Sequence, residues 1–328
     1  PLSSQAYSPG VISPDTRGNV VAFDSQPWPT WRLRAPDGTE IIHEIMIRRG
    51  SAASVARWHI GSGSHAAYLS ARPLISGRDA HALHRENHSF DFKPETKGDW
   101  LVWGIYDGVP DLALGTNASY THDPKWYLNF RYEQDLARGY DYEEDLAAPG
   151  ILTWDLSKGD AVVVMAGVGP DFESTDRITG EDPVRLAGSW REVEQERRSE
   201  PGPARVRLDD YLVDRDSQVL VTGGFPWFLE DPRAAGILAR ALVRRPDGLG
   251  LAGALTRHCL TLRLDDCPVD AFLWWVVAIH ELLERSEQVG FSLPEGDPRR
   301  FRAFIQSLLD YLTAASIEAV SYTHLRAH

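Results

Sequence analysis

Ser199-Glu200-Pro201-Gly202-Pro203 separates two stretches of chain with different hydrophobic periods. Two prolines and a glycine within five residues are the strongest linker signal in the sequence. Beyond it, apolar residues recur at helical spacing. Ile237, Leu238, Ala241 and Leu242 form one stripe, preceded by Asp231 as an N-cap and Pro232 at the first helical position. Phe272, Trp275, Val276, Ile279, Leu282 and Leu283 form a second, and Phe301, Phe304, Ile305, Leu308, Leu309 and Leu312 a third. Leu273 and Val277 widen the second stripe, which predicts a helix buried on more than one side.

Before the linker the signals are those of strands. Trp31–Arg34, Ile41–Ile47, Ala53–Ile60, Ala66–Pro73, Trp100–Tyr106, Ile151–Leu156 and Ala161–Ala166 are short apolar runs with partial alternation. Turn residues such as Pro36-Asp37-Gly38, Lys97-Gly98-Asp99 and Lys158-Gly159-Asp160 stand between them. Many short strands with this spacing predict a large antiparallel β-sandwich. The charged run Trp190–Arg198 reads as a short solvated helix. Strands followed by helices mean separate domains. The division read here is a β-sandwich over 1–198, a linker over 199–203, and a helical domain over 204–319.

The nine residues from Val320 to His328 resemble the translation of a transposase sequencing adapter, so the natural chain is read as cut near residue 319. Residue 1 is a proline, and no signal-peptide pattern follows it; the expected compartment is the cytoplasm.

Composition narrows the function. The chain has 328 residues, 43% of them hydrophobic, which is ordinary globular composition. No apolar run reaches the ~18–20 residues of a membrane span. Lys and Arg total 34 against 47 for Asp and Glu, a net charge of −13. A field of that sign repels phosphate backbones and argues against a nucleic-acid partner. Two cysteines, Cys259 and Cys267, exclude a disulfide scaffold and a four-cysteine zinc site, and both read as buried structural thiols. Eleven tryptophans suit either sugar stacking or core filling.

The sequence holds no phosphate-binding loop, dinucleotide fingerprint, zincin motif or nucleophile elbow. His81 and His84 have the right side chains for a metal, but in strand-and-loop sequence that spacing gives no common face, so polar interdomain packing is the favoured reading. No metal or other cofactor is expected. The acid-rich stretch Asp135–Asp145 offers paired carboxylates of the kind glycoside hydrolysis needs. Bunched in this way, they read as a solvated loop or as partners for Arg131 and Arg138.

Several segments, in order, carry a resemblance. They are Pro29-Thr30-Trp31, Asp37-Gly38-Thr39, Arg72–His81, His84-Arg85-Glu86-Asn87, Trp126–Phe130, Arg138-Gly139 and Glu144–Gly150. Further on come Gly223-Gly224-Phe225-Pro226-Trp227-Phe228 and Val269–Trp275. Together they resemble the bacterial and archaeal type of glycogen debranching enzyme, the amylo-α-1,6-glucosidase family. The resemblance implies an antiparallel β-supersandwich followed by an (α/α)6 barrel. It also implies hydrolysis of α-1,6-linked branch glucose with inversion, by two carboxylates and a water. An α-glucan such as glycogen or limit dextrin is the implied partner. Three helical stripes are too few to close such a barrel, which predicts an incomplete one, an inactive chain, and partly uncovered faces at Phe272, Trp275 and Leu309.

The resemblance also implies site residues. Asp270, at a helix start on the barrel's inner rim, is the implied general acid, with Asp265 and Asp266 as fallbacks. Its plainer reading is a first-turn acid that satisfies unpaired N–H groups and the helix dipole. Phe225, Trp227 and Phe228 are implied sugar-stacking residues, with domain-junction packing as the alternative. In the family the Pro-Trp-Phe segment continues into Asp-Trp-Gly-Arg-Asp-Thr. Here it reads Leu229-Glu230-Asp231-Pro232-Arg233, which retains one acid and Arg233 as a sugar contact in a different frame. The catalytic base lies beyond residue 319. Two alternatives stand beside this reading. One is a non-catalytic glucan-binding or scaffold protein of the same fold. The other is a different β-sandwich and (α/α)6 hydrolase, such as a glucoamylase or trehalase-like enzyme.

Overall fold

The computed structural model describes residues 1–61, 67–79, 81–170, 174–199, 211–215, 218–222, 231–245, 247–262 and 268–325. Two compact units divide the chain, Pro1–Pro201 and Gly202–His328. Residues 200–203 of the predicted linker lie outside the described ones.

Thirteen strands are described in the first unit. They are β1 (Ala6–Tyr7), β2 (Val11–Ile12), β3 (Val20–Asp24), β4 (Thr30–Arg34), β5 (Glu40–Ile47), β6 (Ala53–Ile60) and β7 (Tyr68–Ala71). They continue with β8 (Glu95–Lys97), β9 (Trp100–Trp103), β10 (Asp111–Thr116), β11 (Ser119–Arg131), β12 (Glu143–Asp155) and β13 (Ala161–Val168). Three helices accompany them: α1 (Glu133–Arg138), α2 (Thr175–Thr179) and α3 (Pro183–Ser199). The strands form a five-stranded sheet, ordered β2-β1-β11-β12-β7, and an eight-stranded sheet, ordered β3-β4-β5-β6-β13-β10-β9-β8. The pairings within both sheets are antiparallel. This agrees with the strand-rich reading of the sequence.

The two sheets share one core, in which Ile41, Trp103 and Leu114 of the larger sheet meet Leu69, Ala147 and Leu152 of the smaller. The larger sheet is covered on its other face as well. There Trp28, Val55, Val102 and Val164 pack under Ile178 of α2 and Ala187 and Trp190 of α3. Burial on both faces explains why β9 (Trp-Leu-Val-Trp) and β13 (Ala-Val-Val-Val) read as continuous apolar runs rather than alternating ones. It also corrects the reading of Trp190–Arg198. The helix starts earlier, at Pro183, and its apolar face is buried rather than solvated. Charged side chains fasten it. Glu194, almost fully buried, accepts from the Arg49 backbone N–H and from Arg197 and Arg198, and Arg198 donates to the Pro27 carbonyl.

The second unit holds a hairpin, β14 (Leu212–Arg215) and β15 (Gln218–Val221), and four helices. These are α4 (Pro232–Val243), α5 (Leu249–Cys259), α6 (Val269–Val289) and α7 (Asp297–Leu325). Asp231 caps α4 by accepting from the N–H groups of Arg233 and Ala234, with Pro232 in the first turn, as the sequence predicts. α5 and the hairpin were not legible as separate elements. α7 continues to Leu325, into the segment read as foreign, where the sequence reading had the helical pattern break off.

Along α4 and α6 the contacts advance in one direction. Arg233 pairs with Asp270, Gly236 abuts Trp274, and Arg240 and Arg244 pair with Glu281. The two helices are therefore parallel, with α5 packed against both. A Cβ on Gly236 would lie 3.1 Å from the Cβ of Trp274, so glycine is what lets the helices approach this closely. The core of this unit corrects another expectation. Phe272 and Trp275 are 2% and 1% exposed, because α6 turns them inward, with Phe272 against Phe304 of α7. The open apolar side of α6 carries Leu273 and Val277, at 49% and 38%, contrary to the expectation that this side is covered too. Leu309, at 46%, is exposed as predicted.

Candidate active-site residues and a buried polar network

Asp270 and Arg233 occupy the first turns of α6 and α4, and the parallel packing of those helices brings them together. Arg233 Nε lies 2.7 Å from Asp270 Oδ2, and its Nη2 donates to Oδ1 at 3.1 Å. Both side chains are about half exposed. Asp270 is the acidic residue of the first turn of α6, and it spends its carboxylate on this ion pair. Two predicted site residues, 37 positions apart, thus form one bidentate contact at the N-terminal ends of two parallel helices. Positive helix ends and a guanidinium surround this carboxylate, an arrangement suited to hydroxyl-rich or anionic groups. On the same seam Arg240 lies over the Trp274 ring at 5.9 Å and donates to Glu281.

Phe225, Trp227 and Phe228 lie outside the described residues, as do Asp265, Asp266 and Cys267. Cys259 is buried in the helical core, in line with a structural role. Among the described residues no group of three or more His, Cys, Asp or Glu is placed to hold a metal ion.

The acid-rich stretch took a different course from the one expected. Glu144 and Asp145 are not in a solvated loop but buried in β12, and the main partner of Glu144 is Arg78 rather than Arg131 or Arg138. Glu144 is 0% exposed. Its Oε1 accepts from Arg78 Nε and from the His84 N–H, and its Oε2 accepts from Arg78 Nη2 at 2.9 Å and from the Tyr132 hydroxyl. Asp145 accepts from the backbone N–H groups of Glu86 and Asn129. Asn129 is held at φ 60°, where the β11–β12 ladder shifts register.

His84, read as a polar packing residue between domains, is packed inside the β unit itself. Its Nδ1 lies 3.2 Å from the Asp145 carbonyl and its Nε2 2.7 Å from the Tyr106 hydroxyl, and its ring lies against Trp126 and Phe90. The segments Arg72–His81, His84–Asn87, Trp126–Phe130 and Glu144–Gly150, scattered along the sequence, therefore meet in this one network. It fastens the β7–β8 connection to the smaller sheet.

The electrostatics of the β unit follow from such buried pairs. Burial alone would raise the Glu144 carboxyl, but hydrogen bonds from Arg78 and Tyr132 outweigh it and hold the pKa below the usual glutamate range. Burial, then the bond to Glu144, pushes the Tyr132 phenol up. Glu44 and Glu194 are also lowered: burial opposes this, and Arg191 outweighs it at Glu44, the Arg49 N–H with Arg197 and Arg198 at Glu194. His43 and His59 are lowered, mainly by burial. The three glutamates and two histidines have folded-state pKa values below their unfolded ones. The unfolded chain then binds more protons, and stability is lost as pH falls. The melting temperature of the β unit, read by tryptophan fluorescence, is expected to decline gently below about pH 6.5 as the histidines titrate. It should fall steeply below about pH 4.3, where unfolded glutamates protonate. A melting temperature constant from pH 7 to pH 4 would contradict these assignments.

An antiparallel β unit is thus followed by a helical unit in which α4 and α6 start at an acid–arginine pair. Residues 1–163 match the family model described as glycogen debranching enzyme N terminal. Among solved structures the chain is similar to a bacterial glucoamylase complexed with acarbose, with 11% sequence identity and a TM-score of 0.34. That likeness covers 86% of this chain and 56% of the glucoamylase chain, so this chain spans little more than half the length of that structure. A search of the curated proteins gives no match.

Proposed function

We propose that the chain carries the β-supersandwich and the first helices of the (α/α)6 toroid of a glycogen debranching enzyme, with domains at 1–198 and 204–319. Its reaction is hydrolysis of α-1,6-glucosidic branch points in glycogen or limit dextrin, in the cytoplasm. The observation that carries this reading is the debranching-enzyme family match over residues 1–163. The parallel pairing of α4 and α6 with α5 against both supports it, because alternate helices of an α/α toroid run parallel in one layer. Such a toroid has twelve helices, and four are described here.

In this reading Asp270 protonates the glycosidic oxygen. A second carboxylate, outside the residues assigned here, activates water across the bond at the ~6.5–9.5 Å separation of inverting enzymes. Arg233 orients Asp270 at rest and meets sugar hydroxyls when the pair opens. Phe225, Trp227 and Phe228 stack on the sugar. The altered segment Glu230–Arg233 favours a second reading, a glucan-binding scaffold of the same fold without catalysis.

The test has two parts. Electrophoresis of this chain through glycogen-containing gel should show retardation. The enzyme with its toroid completed should release glucose from limit dextrin as the β-anomer, read by NMR. Retardation without release supports the scaffold; neither result would sink both readings.

A further inference from the structure

Between α3 and the outer face of the eight-stranded sheet lies a cavity of about 430 Å³, formed wholly within the β unit. Its volume falls in the ~300–1,000 Å³ range of small-ligand sites. We propose that this cavity is a second sugar site, taking one end of a neutral α-linked glucan. The choice of sugar rests on the glucan reading above; the neutrality of the ligand does not.

Three observations lead there. The first is that the cavity is kept open. Gly188 stands in the middle of α3 and lines it, and a Cβ built on Gly188 meets nothing within 4 Å. A mid-helix glycine costs about 1 kcal/mol relative to alanine, and no close contact here requires one. The second is the apolar floor of Met46, Val55, Val162 and Ala187, against which the apolar face of a pyranose can lie.

The third is a charged rim whose charges are already matched. Arg57 binds Asp160 at 2.5 Å and Glu44 at 2.9 Å. Arg191 binds Glu44 at 2.6 Å while its guanidinium lies 4.7 Å from the centre of the buried Trp28 ring. Lys158 lies 3.4 Å from Asp155. An anionic ligand would leave this matched rim with an uncompensated charge. A neutral polyol would not. Asp160 Oδ1 accepts no hydrogen bond from the described residues, and guanidinium and ammonium N–H groups remain beyond those the pairs use. Forked polar side chains around an apolar floor match a sugar ring, which is apolar on its face and hydroxylated at its edge.

Isothermal titration of the 328-residue chain with maltose, glucuronate and cyclohexanol tests this. Maltose is expected to bind. Gly188→Phe, which fills the cavity, should weaken maltose at least 10-fold without changing the far-UV spectrum, whereas Gly188→Ala should retain binding. Val184→Trp, placed at the half-exposed edge of the cavity, is the second plug should Gly188→Phe fail to fold. Equal maltose binding by wild type and a folded plugged variant would overturn the site while leaving the glucan reading intact. Preference for glucuronate or cyclohexanol would overturn the ligand class, and absence of any maltose binding would overturn the proposal outright.

Discussion

Asp270→Asn is expected to lower turnover of a branched dextrin by at least ~10²-fold in the enzyme with its toroid completed, the lower range for losing acid–base catalysis. Asparagine keeps the shape and can still accept from Arg233, so the fold should be preserved, at the cost of an exposed ion pair worth ~0–1 kcal/mol. The structure sharpens this prediction. Both oxygens of Asp270 lie against one guanidinium, so a role confined to fastening α4 to α6 is a real alternative. The two roles separate on an activated substrate, whose leaving group needs no proton. If Asp270 is the acid, the deficit shrinks on that substrate. If it only fastens the helices, the mutant loses equally on both substrates and melts at lower temperature. An unchanged ratio of the two rates would remove Asp270 from the catalytic residues. Arg233→Lys adds a control: a point charge cannot make the bidentate contact, so an orienting role predicts a fall in kcat that exceeds any change in stability.

Glu144→Ala should destabilise the β unit by about 3–5 kcal/mol, the usual cost of removing one partner from a buried ion pair. The carboxylate is fully buried, and its loss strands the Arg78 guanidinium, the Tyr132 hydroxyl and the His84 N–H together. Against the ~5–15 kcal/mol that holds a typical domain, this is a large share. Eight of the eleven tryptophans precede residue 201, so urea unfolding followed by tryptophan fluorescence reports chiefly on this unit. The double variant Arg78→Met with Glu144→Leu should recover much of the loss, because apolar replacement of both partners removes the uncompensated charge. A cost below about 1 kcal/mol for Glu144→Ala would show that water, and not Arg78, satisfies the pair.

Short-range periodicity and turn chemistry encode the local elements of this chain. Ala53–Ile60 is a strand at both its predicted ends, and the Asp231–Pro232 start of α4 is where capping chemistry puts it. The change of period around Ser199–Pro203 foretold strands first and helices after. The segments carrying the family resemblance were legible as a set, although what unites them was not. Other features depended on distant partners. β13 is an apolar run because α3 covers its second face, and nothing near residue 161 in the sequence announces that cover. Which side of α6 is buried was likewise undecided by its stripes. Phe272 and Leu273 are neighbours of equal apolarity, and only the approach of α7 turns one inward and leaves the other exposed. The pairing of Arg78 with Glu144 spans 66 positions, and that of Arg233 with Asp270 spans 37. A charge in sequence carries no record of its partner. Partnership is set by chain crossings, β12 beside the β7–β8 connection and α4 beside α6, which tertiary packing alone decides.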